Sequence, residues 1–232
     1  MITIQNALNV STLFLTWQSN RDRNRRYFVG IVSKDMDNTV SFKYSIGSRD
    51  FEEAKEMGFV GFPAFKISEE VYTNDVLNSF VKRLPPKSRR DFSKYLSQHN
   101  LPVDFTGSDF QLLSHTGIQL PSDGFDLVPD LSQATIPFDY IMEVAGTRHY
   151  LSFEQVSEVS IGSEIELRCE DDNEFDKHAI AVYLHGSLIG YVNRLLCTTV
   201  RTLMANKCLT CRIVKKSGTV DRPLLYVMLS AR

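Results

Sequence analysis

No run of apolar residues in this chain of 232 residues approaches the roughly 18 needed to span a bilayer, so no membrane-crossing helix is expected. The first residues also lack the basic start and long apolar core of a secretory signal, which makes the cytoplasm the expected compartment. An excess of one charge is missing too. Residues 1–130 carry 15 basic and 16 acidic side chains, and residues 131–232 carry 11 and 12. Neither half is therefore a bulk polyanion binder, and any nucleic-acid contact has to be a local patch. No glycine-rich phosphate loop occurs. The histidines at 99, 115, 149, 178 and 185 are scattered, with no Ser or Cys nucleophile in a catalytic motif. The chain is expected to be non-catalytic and to use no cofactor.

The first half has no cysteine; the four present are Cys169, Cys197, Cys208 and Cys211. Cys208-Leu-Thr-Cys211 has CxxC spacing, but a structural zinc site usually needs a second close pair of ligands, and the other two cysteines are isolated. The segment from Cys208 to Val214 alternates like a strand, with Leu209, Cys211 and Ile213 on one face, where cysteine packs as a small apolar residue. Core packing and metal or redox chemistry are the two readings. The acidic stretch Glu170-Asp-Asp-Asn-Glu-Phe-Asp176 invites a calcium reading. Counted from Asp172, however, the sixth position is Lys177 and the twelfth Tyr183, so the turn glycine and bidentate glutamate of an EF-hand loop are missing.

Patterning predicts an α+β first half, a small antiparallel sheet with helices. Strands are expected near Ser11–Trp17, Tyr27–Ser33 and Thr39–Tyr44, the last two joined by the turn Asp35-Met-Asp-Asn38. Helices are expected at Asp50–Met57, closed by Gly58, at Asn74–Arg83, stopped by Pro85-Pro86, and after Ser88 as a cap, with Phe92, Tyr95 and Leu96 inward. From Gly107 to Pro137 the pattern weakens, and a linker is expected at 128–138 between domains at 1–127 and 139–232. Arg21-Asp-Arg-Asn-Arg-Arg26 is either a solvated hairpin loop or a contact for DNA or an acidic partner. Trp17, the only tryptophan, is read as core.

The second half is mainly β. Strands are expected over 139–144, 164–169, 179–184, 188–192, 208–214 and 224–229, with a turn at His185-Gly-Ser187. Asn193 is expected to cap a helix carrying Leu196, Val200 and Leu203. Short strands around one helix suggest a small barrel, because closing a sheet removes its exposed edges.

Residues 139–232 resemble a HIRAN domain. Val144-Ala-Gly-Thr-Arg-His-Tyr150, Glu166-Leu-Arg168, Asp172-Asn-Glu-Phe-Asp-Lys-His-Ala-Ile-Ala-Val182, Ile189-Gly-Tyr-Val192 and Arg194 keep that family's order and approximate spacing. The resemblance implies an OB-like barrel which, in eukaryotic members, holds the free 3′ end of single-stranded DNA. Against that task, Phe175 would stack on a base and Asp176 would accept a hydrogen bond from the terminal hydroxyl. Arg148 and Arg194 would meet phosphates, while Tyr191 and His149 would complete an aromatic wall and Asn173 would order the loop. The acidic loop would then exclude phosphate and favour an end over an internal stretch. His149 and Phe175 stand where the family often has tyrosine, and Tyr191 where some relatives have histidine, so stacking is kept but some hydroxyl contacts are not. In the plainer reading, Asn173 and Asp176 only form Asx turns and Phe175 is core.

Residues 11–127 resemble the N-terminal subdomain of HipA-family proteins. The resemblance rests on Tyr27-Phe-Val-Gly-Ile31, Phe42-Lys-Tyr44, Gly58-Phe-Val-Gly-Phe-Pro-Ala-Phe65, Phe80-Val-Lys-Arg-Leu-Pro85, Ser88-Arg-Arg-Asp91, Leu112-Leu-Ser-His-Thr-Gly117 and Asp123-Gly-Phe125. The Ser/Thr kinase core of that family is absent. The resemblance implies a HipA-like kinase encoded separately, as in some toxin–antitoxin systems, on which the first half would dock. The expected function is a regulatory protein that binds single-stranded DNA ends. The alternative is an antitoxin-like regulator of such a kinase without DNA-end binding.

Overall fold

The computed structural model describes residues 2–21, 25–120 and 122–232. The chain divides into two compact units, Asn9–Gln133 and Met1–Leu8 with Ala134–Arg232. Thus the N-terminal residues, expected with the first half, cluster with the second. The expected linker carries the end of one strand, a 3-10 turn at Leu131–Gln133 and the start of another strand.

In the first unit, β1 (Thr12–Gln18), β2 (Arg26–Lys34), β3 (Val40–Tyr44) and β4 (Phe125–Pro129) form an antiparallel sheet in the order β3-β2-β1-β4. The β2–β3 turn forms as expected, with the Asp35 carboxylate accepting from the amides of Asp37 and Thr39. Helix α1 (Arg49–Glu56) is capped by the Ser48 hydroxyl. Its buried Asp50 accepts from the Phe28 amide at 2.8 Å and from Arg25 at 3.0 Å. Arg25 also pairs with Glu53 at 2.6 Å, so this member of the basic cluster anchors α1 to β2; Asp22, Arg23 and Asn24 lie outside the described residues.

Helix α2 (Val76–Val81) is shorter than expected, because Asp75 takes a left-handed φ of 52° just before it. Helix α3 (Phe92–Gln98) starts after a turn in which the Arg89 amide bonds Pro86, and Ser88 does not cap it. Of its expected inward residues only Leu96 is fully buried. Helix α4 (Asp109–Thr116), capped by Ser108, was not expected, although it buries Phe110, Leu112 and Leu113. The core is aromatic. Phe42, Phe62, Phe65 and Phe80 meet ring to ring at 4.7–6.0 Å, and Trp17 packs on Phe59 at 5.5 Å. Within this core, Tyr44 donates to the Phe65 carbonyl at 2.6 Å and accepts from the Phe62 amide at 2.8 Å, and burial pushes its phenol up to about 12.

In the second unit, β5 (Phe138–Glu143), β10 (Arg222–Ala231) and β9 (Leu209–Thr219) form one antiparallel sheet. β6 (Glu166–Cys169), β7 (Ile180–Leu184) and β8 (Ser187–Tyr191) form another. Helices α5 (Phe153–Glu158) and α6 (Cys197–Ala205) complete it. The expected barrel is therefore not one continuous closed sheet. Outside the strand pairs, the two halves of this unit are joined by isolated bridges, Ala145 with Tyr191 and Glu164 with Arg212, and by backbone hydrogen bonds between residues 162–165 and β9. The β7–β8 turn uses His185 and Gly186, both at positive φ, the geometry that matches the twist of a two-residue hairpin.

Cys211 faces the core of β9, and burial pushes its thiol up to about 12, which supports the packing reading. Among the described residues no three His, Cys, Asp or Glu side chains gather as a metal site. Among the same residues, no helix is long and apolar enough to cross a membrane.

Residues 2–8 join this unit around Asp139, whose backbone amide also donates to the Asn6 carbonyl at 2.8 Å. Ala7 bridges to Asp139 in parallel, and Asp139, 0% exposed, accepts from the amides of Gln5 and Asn6, each at 2.9 Å. Its other oxygen takes the Ser230 hydroxyl and Arg232, both at 2.7 Å. Ile4 and Leu8 are buried on either side of the attachment.

Candidate nucleic-acid interface

The site is assembled where the chain leaves β5. Ala145 exchanges two backbone hydrogen bonds with Tyr191, at 2.8 and 2.9 Å, at the end of β8. Gly190 makes this approach possible: at φ 143° a Cβ there would stand 2.4 Å from the Ala145 carbonyl oxygen. Gly146, also at positive φ, then turns the chain outward into a 3-10 turn at Thr147–His149. Thr147 is the inward peg, buried and donating to the Val144 carbonyl. Arg148, His149 and Tyr150 are left exposed, with Arg148 Nε 3.3 Å from His149 Nε2.

From this turn a continuous set of side chains leads to the acidic loop. The Tyr150 ring lies 6.1 Å from that of Tyr191. The Tyr191 hydroxyl donates to Glu170 at 3.2 Å, and Asn173 Nδ2 donates to the same carboxylate oxygen at 2.9 Å. Burial, the Tyr150 hydroxyl and the Glu170 charge together raise the Tyr191 phenol well above its ordinary value, so it stays a protonated donor. Asn173 Oδ1 accepts from the amides of Phe175 and Asp176 at 3.0 and 3.1 Å, and Asp176 accepts from the His178 amide at 2.8 Å. The Asx-turn reading thus holds for Asn173 and for one oxygen of Asp176. The core reading of Phe175 does not: its ring is 96% exposed on a loop whose backbone is hydrogen-bonded beneath it.

Six of the seven expected residues fall on this connected surface: His149, with Arg148 beside it, then Tyr191, and across it Asn173, Phe175 and Asp176. Tyr191 itself is the link. Arg194 is exposed three residues beyond Tyr191, on the turn before α6. In that turn Asn193 accepts from the Leu195 amide, and α6 begins only at Cys197, so Asn193 orders the turn and does not cap the helix. Three residues escaped the sequence reading. Tyr150 and Glu170 stood in stretches already singled out, but their pairing with Tyr191 is a tertiary contact. Arg201, on α6, is the third. Its guanidinium bonds the carbonyls of His178 and Ala179, each at 3.0 Å, that of Lys177 at 3.3 Å, and Asp171 at 2.5 Å. It ties the two flanks of the acidic loop to one helix.

Arg201→Gln is accordingly expected to raise amide exchange over residues 171–179 several-fold while leaving β9 and β10 protected. Hydrogen exchange read by mass spectrometry checks this. Uniform loss of protection would instead mark Arg201 as a support of the whole unit.

Residues 137–229 match the family model of the HIRAN domain. Among solved structures, the chain is similar to the crystal structure of the HIRAN domain of human HLTF, with 21% identity over 40% of this chain and 74% of that one, at a TM-score of 0.32. It is also similar to a protein from Lactobacillus plantarum, with 18% identity over 40% of this chain and 99% of that one, at a TM-score of 0.29. An NMR structure of the HLTF HIRAN domain in its DNA-bound conformation shares 20% identity over 40% of this chain and 76% of that one, at a TM-score of 0.27. No curated protein matches the chain.

Proposed function

We propose that the HIRAN-matching unit binds nucleic acid at the end of a single strand, as a non-catalytic module of a cytoplasmic regulatory protein. The observation that carries this reading is the solvent-facing Phe175 ring, held on a loop connected through Glu170 to Tyr191, Tyr150 and the Arg148 turn. An exposed ring on an ordered loop presents a free π face suited to a base, and a guanidinium on the neighbouring turn suits phosphate. The carboxylates of the loop would disfavour phosphate beyond the terminal nucleotide, which makes a free terminal hydroxyl the preferred end. The hydrogen-bond circuit supports an OB-like architecture for this unit: β9 meets residues 162–165 through Gly162, Ile165 and Ile213, and β8 meets Ala145.

Binding of short single strands with a free or a blocked 3′ hydroxyl tests the reading. The free end is expected to bind at least about tenfold more tightly, the scale of losing one hydrogen bond to a charged group. Equal binding removes the end-recognition claim.

A second role is docking of the first unit on a HipA-like kinase, with the chain acting as an antitoxin-like regulator. Exposed Val60 and Val71, on the segment between α1 and α2 that bridges to edge strand β3 at Tyr72, favour it. Co-purification with a kinase from the same gene neighbourhood decides it.

A further inference from the structure

The even charge of the first half hides one uneven stretch. Between Lys82 and Lys94 stand six basic residues (Lys82, Arg83, Lys87, Arg89, Arg90 and Lys94) and one acidic residue, Asp91. The fold gathers part of this run around an open cleft of about 530 Å³, walled by Pro85, Pro86 and Tyr95 and lined by Arg83, Arg89 and Lys94. The cations are not equivalent. Arg83 is the fixed floor: its fork bonds Asp123 at 2.7 and 2.8 Å, its Nε bonds the Ile118 carbonyl, and it lies over the rings of Phe62 and Phe125. Arg89 and Lys94 line the cleft as well, Arg90 follows Arg89 on the same turn, and Lys82 pairs with Asp75. Arg89 pairs with Asp91 at 2.8 Å, with both side chains 56% exposed, and Lys87 pairs with exposed Asp109 at 2.7 Å. Arg90 and Lys94 are exposed and make no ion pair among the described residues.

Exposed ion pairs of this kind contribute little, so an incoming phosphate can replace Asp91 or Asp109 at small cost. The arrangement also selects among phosphate ligands. A reader of one phosphorylated side chain converges arginines on a single group, whereas the more buried of the two guanidinium groups lining this cleft, that of Arg83, is already paired with Asp123. A row of exposed cations along a turn and the start of a helix suits a row of phosphates.

We propose that this cleft and its rim, Arg89, Arg90 and Lys94, are a sequence-independent contact for the backbone of single-stranded nucleic acid, carried by the first unit. This contact adds affinity without choosing the end, so it is separable from the reading of the HIRAN-matching unit.

The test uses the full chain and a labelled oligothymidylate, with a free or a phosphorylated 3′ end, titrated across a series of salt concentrations. The variant R89Q/R90Q/K94Q is expected to bind both oligonucleotides roughly tenfold more weakly at low salt and to flatten the log–log salt slope by about 2, at about 0.7 per lost phosphate contact. The ratio between the two ends should not move, and R89K/R90K should stay near wild type. All three side chains are exposed, and an unchanged melting temperature confirms folding. Unchanged affinity and slope, or no binding by the wild type, overturn the proposal. So does loss of phosphoserine-peptide binding with oligonucleotide binding intact, which would make the cleft a phosphopeptide reader. If the triple variant abolishes binding while Phe175→Ala changes nothing, this contact stands and the end-binding reading falls.

Discussion

Phe175→Ala is expected to weaken single-strand binding by about 5- to 150-fold, the range set by loss of one base–aromatic stack worth about 1–3 kcal/mol. Folding stability should move by no more than about 0.5 kcal/mol, because a ring 96% exposed leaves no cavity when it is removed. The contrast between the two readouts is the point. The loop beneath Phe175 is held by Asn173, Asp176 and Arg201 through bonds that do not involve the ring. Phe175→Trp should therefore retain binding, whereas Phe175→Leu, apolar but without a π face, should bind nearly as poorly as alanine. Binding by anisotropy and stability by thermal melting separate these outcomes. If alanine lowers stability and leaves binding intact, the ring supports the fold in solution.

Asp139→Ala should produce the largest loss of stability, about 3–5 kcal/mol, as expected when a buried, multiply bonded carboxylate is removed. Two backbone amides, Ser230 and Arg232 lose their acceptor together, and the attachment of residues 2–8 is released. For a unit of this size that corresponds to a melting temperature lower by more than about 10 °C. Deleting residues 1–8 should cost at least as much, since Ile4 and Leu8 leave the core as well. The same carboxylate predicts an acid limit. Burial alone would raise its pKa, but the bonds from Ser230, Asn6, Arg232 and Gln5 outweigh burial and hold it below the usual aspartate range. Its contribution is therefore complete above the ordinary aspartate value near ~3.9, and it is lost as pH falls through the lowered folded value. Melting curves of wild type and Asp139→Ala should converge at strongly acidic pH. A constant gap down to that limit would show that the carboxylate is not the group responsible.

Much of this architecture was legible in local pattern. The strands of both units other than β4, the Asp35–Asn38 turn and the His185-Gly186 hairpin follow from alternation and turn chemistry, which act over a few residues, whereas β4 lies in the stretch read as weakly patterned and linker. The missed elements have identifiable causes. Helix α4 is eight residues long and sits between glycine- and proline-bearing loops, so periodicity had little length in which to appear. Helix α5 carries a capping box, Ser152 with Gln155, that the sequence displays but the pattern reading passed over. The place of residues 2–8 depends on a carboxylate more than a hundred positions away, and no local rule reaches that far.

The site shows the same division. Asn173, Phe175, Asp176, Arg148 and Tyr191 could be named from motif strings, and the exposure of Phe175 decides between two readings the sequence left open. The Tyr150–Tyr191–Glu170–Asn173 connection and the Arg201 staple exist only once β5, β8 and α6 are packed. Averaging charge over half-chains likewise concealed the run from Lys82 to Lys94, because Asp75, Asp109 and Asp123 balance it in composition while only Asp91 shares its cleft.

Amide chemical-shift mapping of the full chain, titrated with an oligothymidylate bearing a free 3′ hydroxyl, addresses the binding surface directly. Perturbations concentrated at residues 148–150, 170–176 and 191–194, and absent for Phe175→Ala at the same concentrations, are the expected result. Shifts confined to other faces of the second unit, or a spectrum of that unit unchanged at saturating oligonucleotide, would contradict the assignment.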